Sequence, residues 1–316
     1  MQRGQWCEVR GIASRDRARA EAAAASLGIS RSFGSYEALL ADPEIDAVYI
    51  PLPNHLHVPW TIRAAEAGKH VLCEKPIALN AAEAATLIEV RDRTGIQVQE
   101  AFMVRTHPQW LMARNLARGG RIGELRSMLG YFSYFNDDPA NIRSVPEFGG
   151  GSLMDIGCYL INTSRFIFDA EPRRAAGLID RDPVLGIDRT ASLLLDFPSG
   201  QLAGTCSTQA VPYQRMQILG TKGRIEIEIP FNAPPDRPCR VRVDSGNDLS
   251  GAGIETFELP VTDQYTIQGD LFSRALLEGR QVPSPLEDAI ANMACIDAVF
   301  RSAESGQWET PRSYSA

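Results

Sequence analysis

The chain has 316 residues, 44% of them hydrophobic and 22% charged, with a formal net charge of −7. That length suits two domains with sizeable cores, and the acidic balance argues against nucleic acid or an anionic membrane as the main partner. No apolar run is long enough for a membrane-spanning helix, Met1–Trp6 lacks the apolar core of a secretory signal, and the six scattered cysteines form no CxxC pair, so a cytoplasmic protein with reduced thiols is expected.

The first third alternates strand and helix patterns. Cys7–Ala13 reads as a strand, and Arg15–Leu27 as an Ala-rich helix stopped by Gly28. Tyr36–Ala41 is a short helix and Ala47–Pro51 a β-branched and aromatic strand. Pro59–Ala67 is a helix closed by Gly68, followed by strand His70–Cys73. Asn80 caps helix Ala81–Thr94, which stops at Gly95, and Ile96–Ala101 is the next strand. This alternation predicts right-handed βαβ units and a parallel, doubly wound sheet. The pattern changes near Met103. A helix over Gln109–Arg118 ends at Gly119-Gly120. Strand Glu124–Phe135 leads into a loop rich in Asp, Pro and Asn, and then a long helix, Ser152–Phe168. Strands with hairpin turns at Pro198-Ser-Gly200 and Gly220-Thr-Lys-Gly223 run to about Glu258. Two helices, Gln264–Glu278 and Leu286–Glu304, close the chain. The expected fold is a Rossmann-type α/β parallel sheet lacking its first strand (residues 1–102) and an α+β domain with a mostly antiparallel open sheet (residues 103–316).

Two segments carry chemistry. His70–Pro76 is a buried strand ending on Glu74, Lys75 and Pro76, so the Lys75 ammonium is aimed at the crevice where open α/β sheets bind ligands. Asp155 and Tyr159 stand four apart on one helix and share a face, after a glycine run that lets backbone approach a ligand closely. At the exit of strand Cys7–Ala13, Ser14 supplies a hydroxyl and Arg15 a fork suited to a ribose 2′-phosphate. The four histidines, His55, His57, His70 and His107, form no HExxH or Cys/His cluster, so no metal site is expected.

These residues, with Ala13–Asp16, Tyr36–Pro51, Asn54-His-Leu-His57, Glu74-Lys-Pro76, Gly149–Tyr159 and Gly220–Gly223 in order, resemble one family. It is the glucose–fructose oxidoreductase / inositol dehydrogenase / rhizopine-catabolism (Gfo/Idh/MocA) family of nicotinamide-dependent sugar dehydrogenases. Tyr at position 159, where many members carry His, is similar to the NADP branch that includes xylose and dihydrodiol dehydrogenases. The resemblance implies Lys75, Asp155 and Tyr159 as catalytic residues. It implies Ser14, Arg15, Pro51, Leu52, Asn54, His57, Glu74 and Lys75 around NADP, with NAD as the alternative, and Arg105, His107 and Asn162 beside the substrate. A homo-dimer or homo-tetramer through the open sheet face is implied too.

The sequence opens just before the family's second strand. Neither Gly149-Gly-Gly151 nor Gly251-Ala-Gly253 sits between a strand and a helix as a GxGxxG phosphate loop does. The expectation is therefore weak cofactor binding by the chain as written, through a start site set too far downstream or a shortened copy. A phenol with a pKa near 10 is a poor base at neutral pH, and Lys75 is expected to lower it. The reading is hydride transfer between NADP and a pyranose or cyclic diol. The alternatives are an NAD-dependent inositol-type dehydrogenase or a cofactor-less remnant.

Overall fold

A computed structural model describes residues 1–246 and 248–314. In the first region the elements are β1 (Gly11–Ala13), α1 (Arg17–Leu27), β2 (Arg31–Phe33), α2 (Tyr36–Leu40), β3 (Ala47–Ile50), α3 (His57–Glu66), β4 (His70–Cys73), α4 (Ala81–Thr94) and β5 (Val98–Glu100). Every strand pair here is parallel, as the alternation predicts, but the strands form two sheets, β1-β2 and β3-β4-β5, with no ladder between β1 and β3. Local chemistry sets the helix ends. Asp16 caps α1 by accepting from Ala18 and Arg19, so that helix starts two residues later than the Ala-rich run suggests. Asn80 caps α4, which ends on left-handed Gly95.

The second region comprises α5 (Pro108–Arg118), β6 (Leu125–Phe135), α6 (Cys158–Phe168), β7 (Arg174–Arg181), β8 (Asp188–Phe197), β9 (Gly200–Ser207), β10 (Gln209–Gly220), β11 (Arg224–Ile227), β12 (Cys239–Asp244), β13 (Ile254–Leu259), α7 (Gln264–Leu277) and α8 (Leu286–Ser305). Its eight strands run in the order β13-β12-β11-β10-β6-β9-β8-β7, antiparallel except for β6 against β9. α6 lies on one face of this sheet, completely buried, with Leu160 pressed on Gly130 and Gly204. The other face carries Leu129, Leu178, Leu194 and Tyr213 in the open. α8 reaches back to the first sheet, where Asp297 accepts from the first N–H of α4. Apolar packing therefore runs from β3 and β4 through α6 into α8 without a break.

The predicted helix over Ser152–Phe168 has two parts. Leu153–Gly157 is a wide π turn, and regular α-helix begins at Cys158. Such a turn frees backbone carbonyls that an α-helix would engage, a feature frequent at functional sites. The preceding glycines are required by packing and by backbone conformation. A Cβ on Gly150 would meet the Arg143 carbonyl oxygen at 2.5 Å and that of Val145 at 2.7 Å. Gly149 and Gly151 have φ of 77° and 108°, conformations that favour glycine. Buried Asp188 closes this corner, accepting from Ser152 Oγ at 2.9 Å and Leu153 N at 2.6 Å.

Candidate active site

A cavity of about 690 Å³ opens between the two regions, at the carboxyl ends of β3 and β4. Open α/β sheets bind ligands in this position. Pro51, Leu52, Asn54, His57, Glu74 and Lys75 line one wall, while Asp155 and Tyr159 line the wall opposite, with Tyr134 and Arg143.

Lys75 leaves the end of β4 and crosses the cavity. Its Nζ is 3.1 Å from Asp155 Oδ1, donates to the Asp155 backbone carbonyl freed by the π turn, and lies 5.0 Å from the Tyr159 ring centroid. The turn that carries it is held at several points. Glu100 Oε1 accepts from Ile77 N at 2.8 Å, Glu74 Oε2 accepts from Lys75 N at 3.2 Å, and His57 Nδ1 lies 2.7 Å from the Pro76 carbonyl oxygen. His57 Nε2 is equally close to the Leu52 carbonyl, so this fully buried imidazole links the two loops of the same wall. Tyr49 donates its hydroxyl to Glu74. Asn54 Nδ2 donates to the Gly149 carbonyl at 2.9 Å, joining the walls at the rim.

Asp155 gathers three partners. Beside Lys75, Arg143 Nε is 3.0 Å from Oδ1, and Tyr134 donates to Oδ2 at 2.5 Å. Burial alone would raise this carboxyl. The facing Lys75 and Arg143 cations and the Tyr134 bond outweigh it, bringing the pKa down to about 2. Burial likewise works against the Lys75 ammonium, but Asp155 outweighs it and the net shift is upward. Asp155 is thus a fixed anion and Lys75 a fixed cation, and neither is a proton shuttle near neutral pH.

Tyr159 differs from expectation. Burial first, and then the negative charges of Glu74 and its neighbours, hold the phenol well above its ordinary range. The ammonium that was expected to lower it is committed to Asp155. The Tyr159 ring is wedged against Phe102, Phe132 and Phe231, with its hydroxyl 3.4 Å from Met103 Sδ. A buried, protonated phenol on a cavity wall suits a proton donor.

The remaining predicted residues lie elsewhere. Ser14 and Arg15 stand at the exit of β1 and do not line the cavity. Ser14 Oγ accepts from Asp16 N at 3.2 Å, and Arg15 is exposed. Arg105, His107 and Asn162 do not line it either. Arg105 points inward, Nη1 lying 3.3 Å from Asp288 Oδ2 and 3.5 Å from Asn162 Oδ1, with its guanidinium over the Phe166 ring. Asn162 is fully buried beside it. His107 is the N-cap of α5, accepting from Gln109 N, and burial lowers its pKa to about 4. Polar residues next to the crevice in sequence are here consumed by a buried ion network. Sequence reasoning missed Tyr134 and Arg143. Tyr134 lies on a strand of otherwise unremarkable alternation, and Arg143 lies in an irregular loop whose course depends on the distant glycine run. Among the described residues, no three His, Cys, Asp or Glu side chains cluster as metal ligands, and no helix is long and apolar enough to cross a membrane.

Two family models match the chain, the NAD-binding Rossmann-fold oxidoreductase family over residues 1–102 and the GFO/IDH/MocA C-terminal domain over residues 110–226. An uncharacterized oxidoreductase of Rhizobium meliloti is 50% identical over 304 residues, covering 96% of this chain and 91% of its own length. The chain belongs to the GFO/IDH/MocA family. This GFO/IDH/MocA protein is accordingly an oxidoreductase. It is also 39% identical over 304 residues to an NADP-dependent D-xylose 1-dehydrogenase of Haloferax volcanii, covering 95% of this chain and 90% of the relative. Its fold is similar to a 3-ketoreductase from Actinomadura kijaniata solved with NADP and TDP-benzene, with a TM-score of 0.86, 29% identity, and coverage of 93% and 89% of the two chains.

Proposed function

We propose that this protein transfers hydride between NADP and a hydroxyl or carbonyl of a pyranose sugar or cyclic diol, with Lys75, Asp155 and Tyr159 as its catalytic residues. The observation that carries the reading is the meeting of an ammonium from the first region with a buried phenol from the second, across one cavity. The wall formed by Pro51, Leu52, Asn54, His57, Glu74 and Lys75 has the shape and polar edge to hold a nicotinamide and its ribose, with Ser14 and Arg15 assigned to the 2′-phosphate end. Bound there, the nicotinamide would supply or accept the hydride. Tyr159 keeps its proton at neutral pH and gives it to a carbonyl oxygen in the reductive direction. In the oxidative direction Tyr159 must first release its own proton to solvent, and the phenolate oxygen then takes the hydroxyl proton. Asp155 holds Lys75 at the carboxyl end of β4, where its ammonium is placed to bond the nicotinamide ribose.

Relatives support this choice. The Haloferax volcanii enzyme is named for D-xylose and NADP, and several relatives at 31–32% identity are named as reductases of dTDP-linked deoxy sugars. The Actinomadura kijaniata ketoreductase has been solved with one lysine or one tyrosine replaced, and those two residues have the same sequence separation as Lys75 and Tyr159. We assign residues 1–102 to the dinucleotide and residues 103–316 to the substrate and self-association. The exposed Leu129, Leu178, Leu194 and Tyr213 favour a homo-dimer or homo-tetramer through the open sheet face. The test is a rate screen of the purified protein with NADP and NAD against pentoses, hexoses and cyclic diols, run alongside sedimentation. Faster turnover of a sugar or diol with NADP is expected from an assembly larger than one chain. Preference for NAD with inositols, or no turnover of any of these, would overturn the assignment.

A further inference from the structure

Arg143 stands out because little of its binding capacity is used. Its guanidinium lines the cavity, with Nε against Asp155 Oδ1. Among the described residues no other side chain or carbonyl accepts a hydrogen bond from it. The guanidinium offers five N–H donors in a planar fork, so on this cavity-lining, half-exposed side chain the amino groups beyond Nε are left without a protein partner among the described residues. The residue is well fixed at its base. Asn141 Oδ1 accepts from Arg143 N at 3.0 Å, and Gly151 N donates to the Arg143 carbonyl at 3.0 Å. The glycine run at 149–151 makes room for this loop, since a Cβ on Gly150 would strike the Arg143 carbonyl oxygen. Asn136, Asn141 and Asn232 line the same side of the cavity, opposite the Glu74 and Lys75 wall. This wall therefore presents one cationic fork and several amides to a ligand. The charges of Glu74, Lys75, Arg143 and Asp155 balance in sign, which suits a neutral, hydroxyl-rich ligand better than an anion.

We propose that Arg143 is a substrate-specificity residue of this site, anchored by Nε on Asp155 and donating through its amino groups to adjacent sugar hydroxyls remote from the reacting carbon. The proposal rests on the sugar oxidoreductase reading above and names the part of the sugar that this wall recognises. Binding made equally in the ground and transition states sets KM and leaves kcat unchanged. A residue that merely supports Asp155 would instead move kcat.

The experiment compares wild type, Arg143→Lys and Arg143→Gln in steady-state kinetics with NADP and the best sugar from the screen. Saturation-transfer NMR of D-xylose and of D-glucose is run on each protein without cofactor. Arg143→Gln should raise the sugar KM about 10-fold or more, a larger factor than any fall in kcat, and leave NADP affinity unchanged. Arg143→Lys should fall between, because an ammonium cannot bridge two hydroxyls as a fork does. A deoxy sugar lacking one remote hydroxyl should lose affinity with wild type and lose little more with Arg143→Gln. A fall in kcat with KM unchanged, or a loss of NADP affinity, would overturn the proposal. Should wild type turn over no sugar, the function reading fails and the NMR decides this one. Saturation transfer seen with wild type and lost in Arg143→Gln supports it, and transfer equal in both proteins or absent from both overturns it.

Discussion

Two charge clusters lie along the same stretch of chain, one before the start of α6 and one further along it. The first joins Lys75, Arg143, Asp155 and Tyr134 and lines the cavity. The second joins Arg105, Arg165, Glu171 and Asp288 and lines nothing. Both contain buried cations within hydrogen-bonding reach of carboxylates, so burial and pairing do not distinguish a site from a strut. The difference is how completely the donors are used. Arg165 spends its fork on protein, with Nε and Nη2 on the Glu171 carboxylate at 2.6 and 2.7 Å, and further bonds to Asp288 Oδ1 and the Asp288 carbonyl, both at 3.1 Å. In the first cluster, Arg143 keeps donors open to a space large enough for a sugar. The clusters should therefore respond to mutation in opposite ways, one in rate and the other in stability.

The largest expected effect is in the first cluster. Tyr159→Phe keeps the ring that packs on Phe102, Phe132 and Phe231 and removes only a hydroxyl whose one hydrogen-bond partner among the described residues is Met103 Sδ. Turnover should fall about 10²–10⁴-fold, the usual contribution of one acid/base group. The urea midpoint should barely move, because no strong hydrogen bond is lost. Near-normal turnover would show that the proton travels by another route. The converse experiment is Arg165→Ala. Removing the guanidinium takes away charged hydrogen bonds worth about 1.5–3 kcal/mol and leaves Asp288 with Arg105 alone, so urea unfolding should show a loss of that size. The folded fraction should still turn over substrate at close to the wild-type rate. A loss under about 1 kcal/mol, or a lower rate at full folding, would erase the distinction between the clusters.

Some of this arrangement was legible in the sequence, and the reason is range. The capping of α4 by Asn80 and its stop at Gly95 depend on neighbours a few residues away, as do the exit of β4 into Glu74-Lys75-Pro76 and the shared face of Asp155 and Tyr159. Long-range partners were hidden. Arg105 and Asn162 look like crevice residues until α8 arrives from residue 286 onward and Asp288 draws Arg105 inward. The Lys75 charge looked available to Tyr159, but the π turn at Leu153–Gly157 exposes the Asp155 carbonyl and captures the ammonium. β2 is three residues long, too short for alternation to declare itself. Arg143 owes its position to Gly150, Gly151 and Asp188 together, a combination with no local signature.

Glu100 lies between the two clusters and offers the finest test of their separation. Its Oε1 holds the Ile77 N–H in the turn that carries Lys75, while Oε2 is buried with no hydrogen-bond partner among the described residues. Burial pushes this carboxyl up to about 8, against the Ile77 bond, with the Asp288 charge adding to the rise and Arg165 and Lys75 opposing it. The folded protein therefore holds a proton that the unfolded chain releases near pH 4.5. Where the native state binds the extra proton, stability falls as pH rises, and the fall stops above the folded pKa. Between about pH 5 and pH 7 that amounts to about 2–3 kcal/mol for this one group, at 1.36 kcal/mol per pH unit. Glu100→Gln cannot ionise and keeps an oxygen for Ile77, so the variant should gain on wild type by that amount across the window, as read from urea midpoints at three pH values. A constant offset between the two proteins would mean that Glu100 is already ionised in the folded state. The carboxylate would then be a third anion serving the Lys75 turn, and the two clusters would form one continuous electrostatic unit.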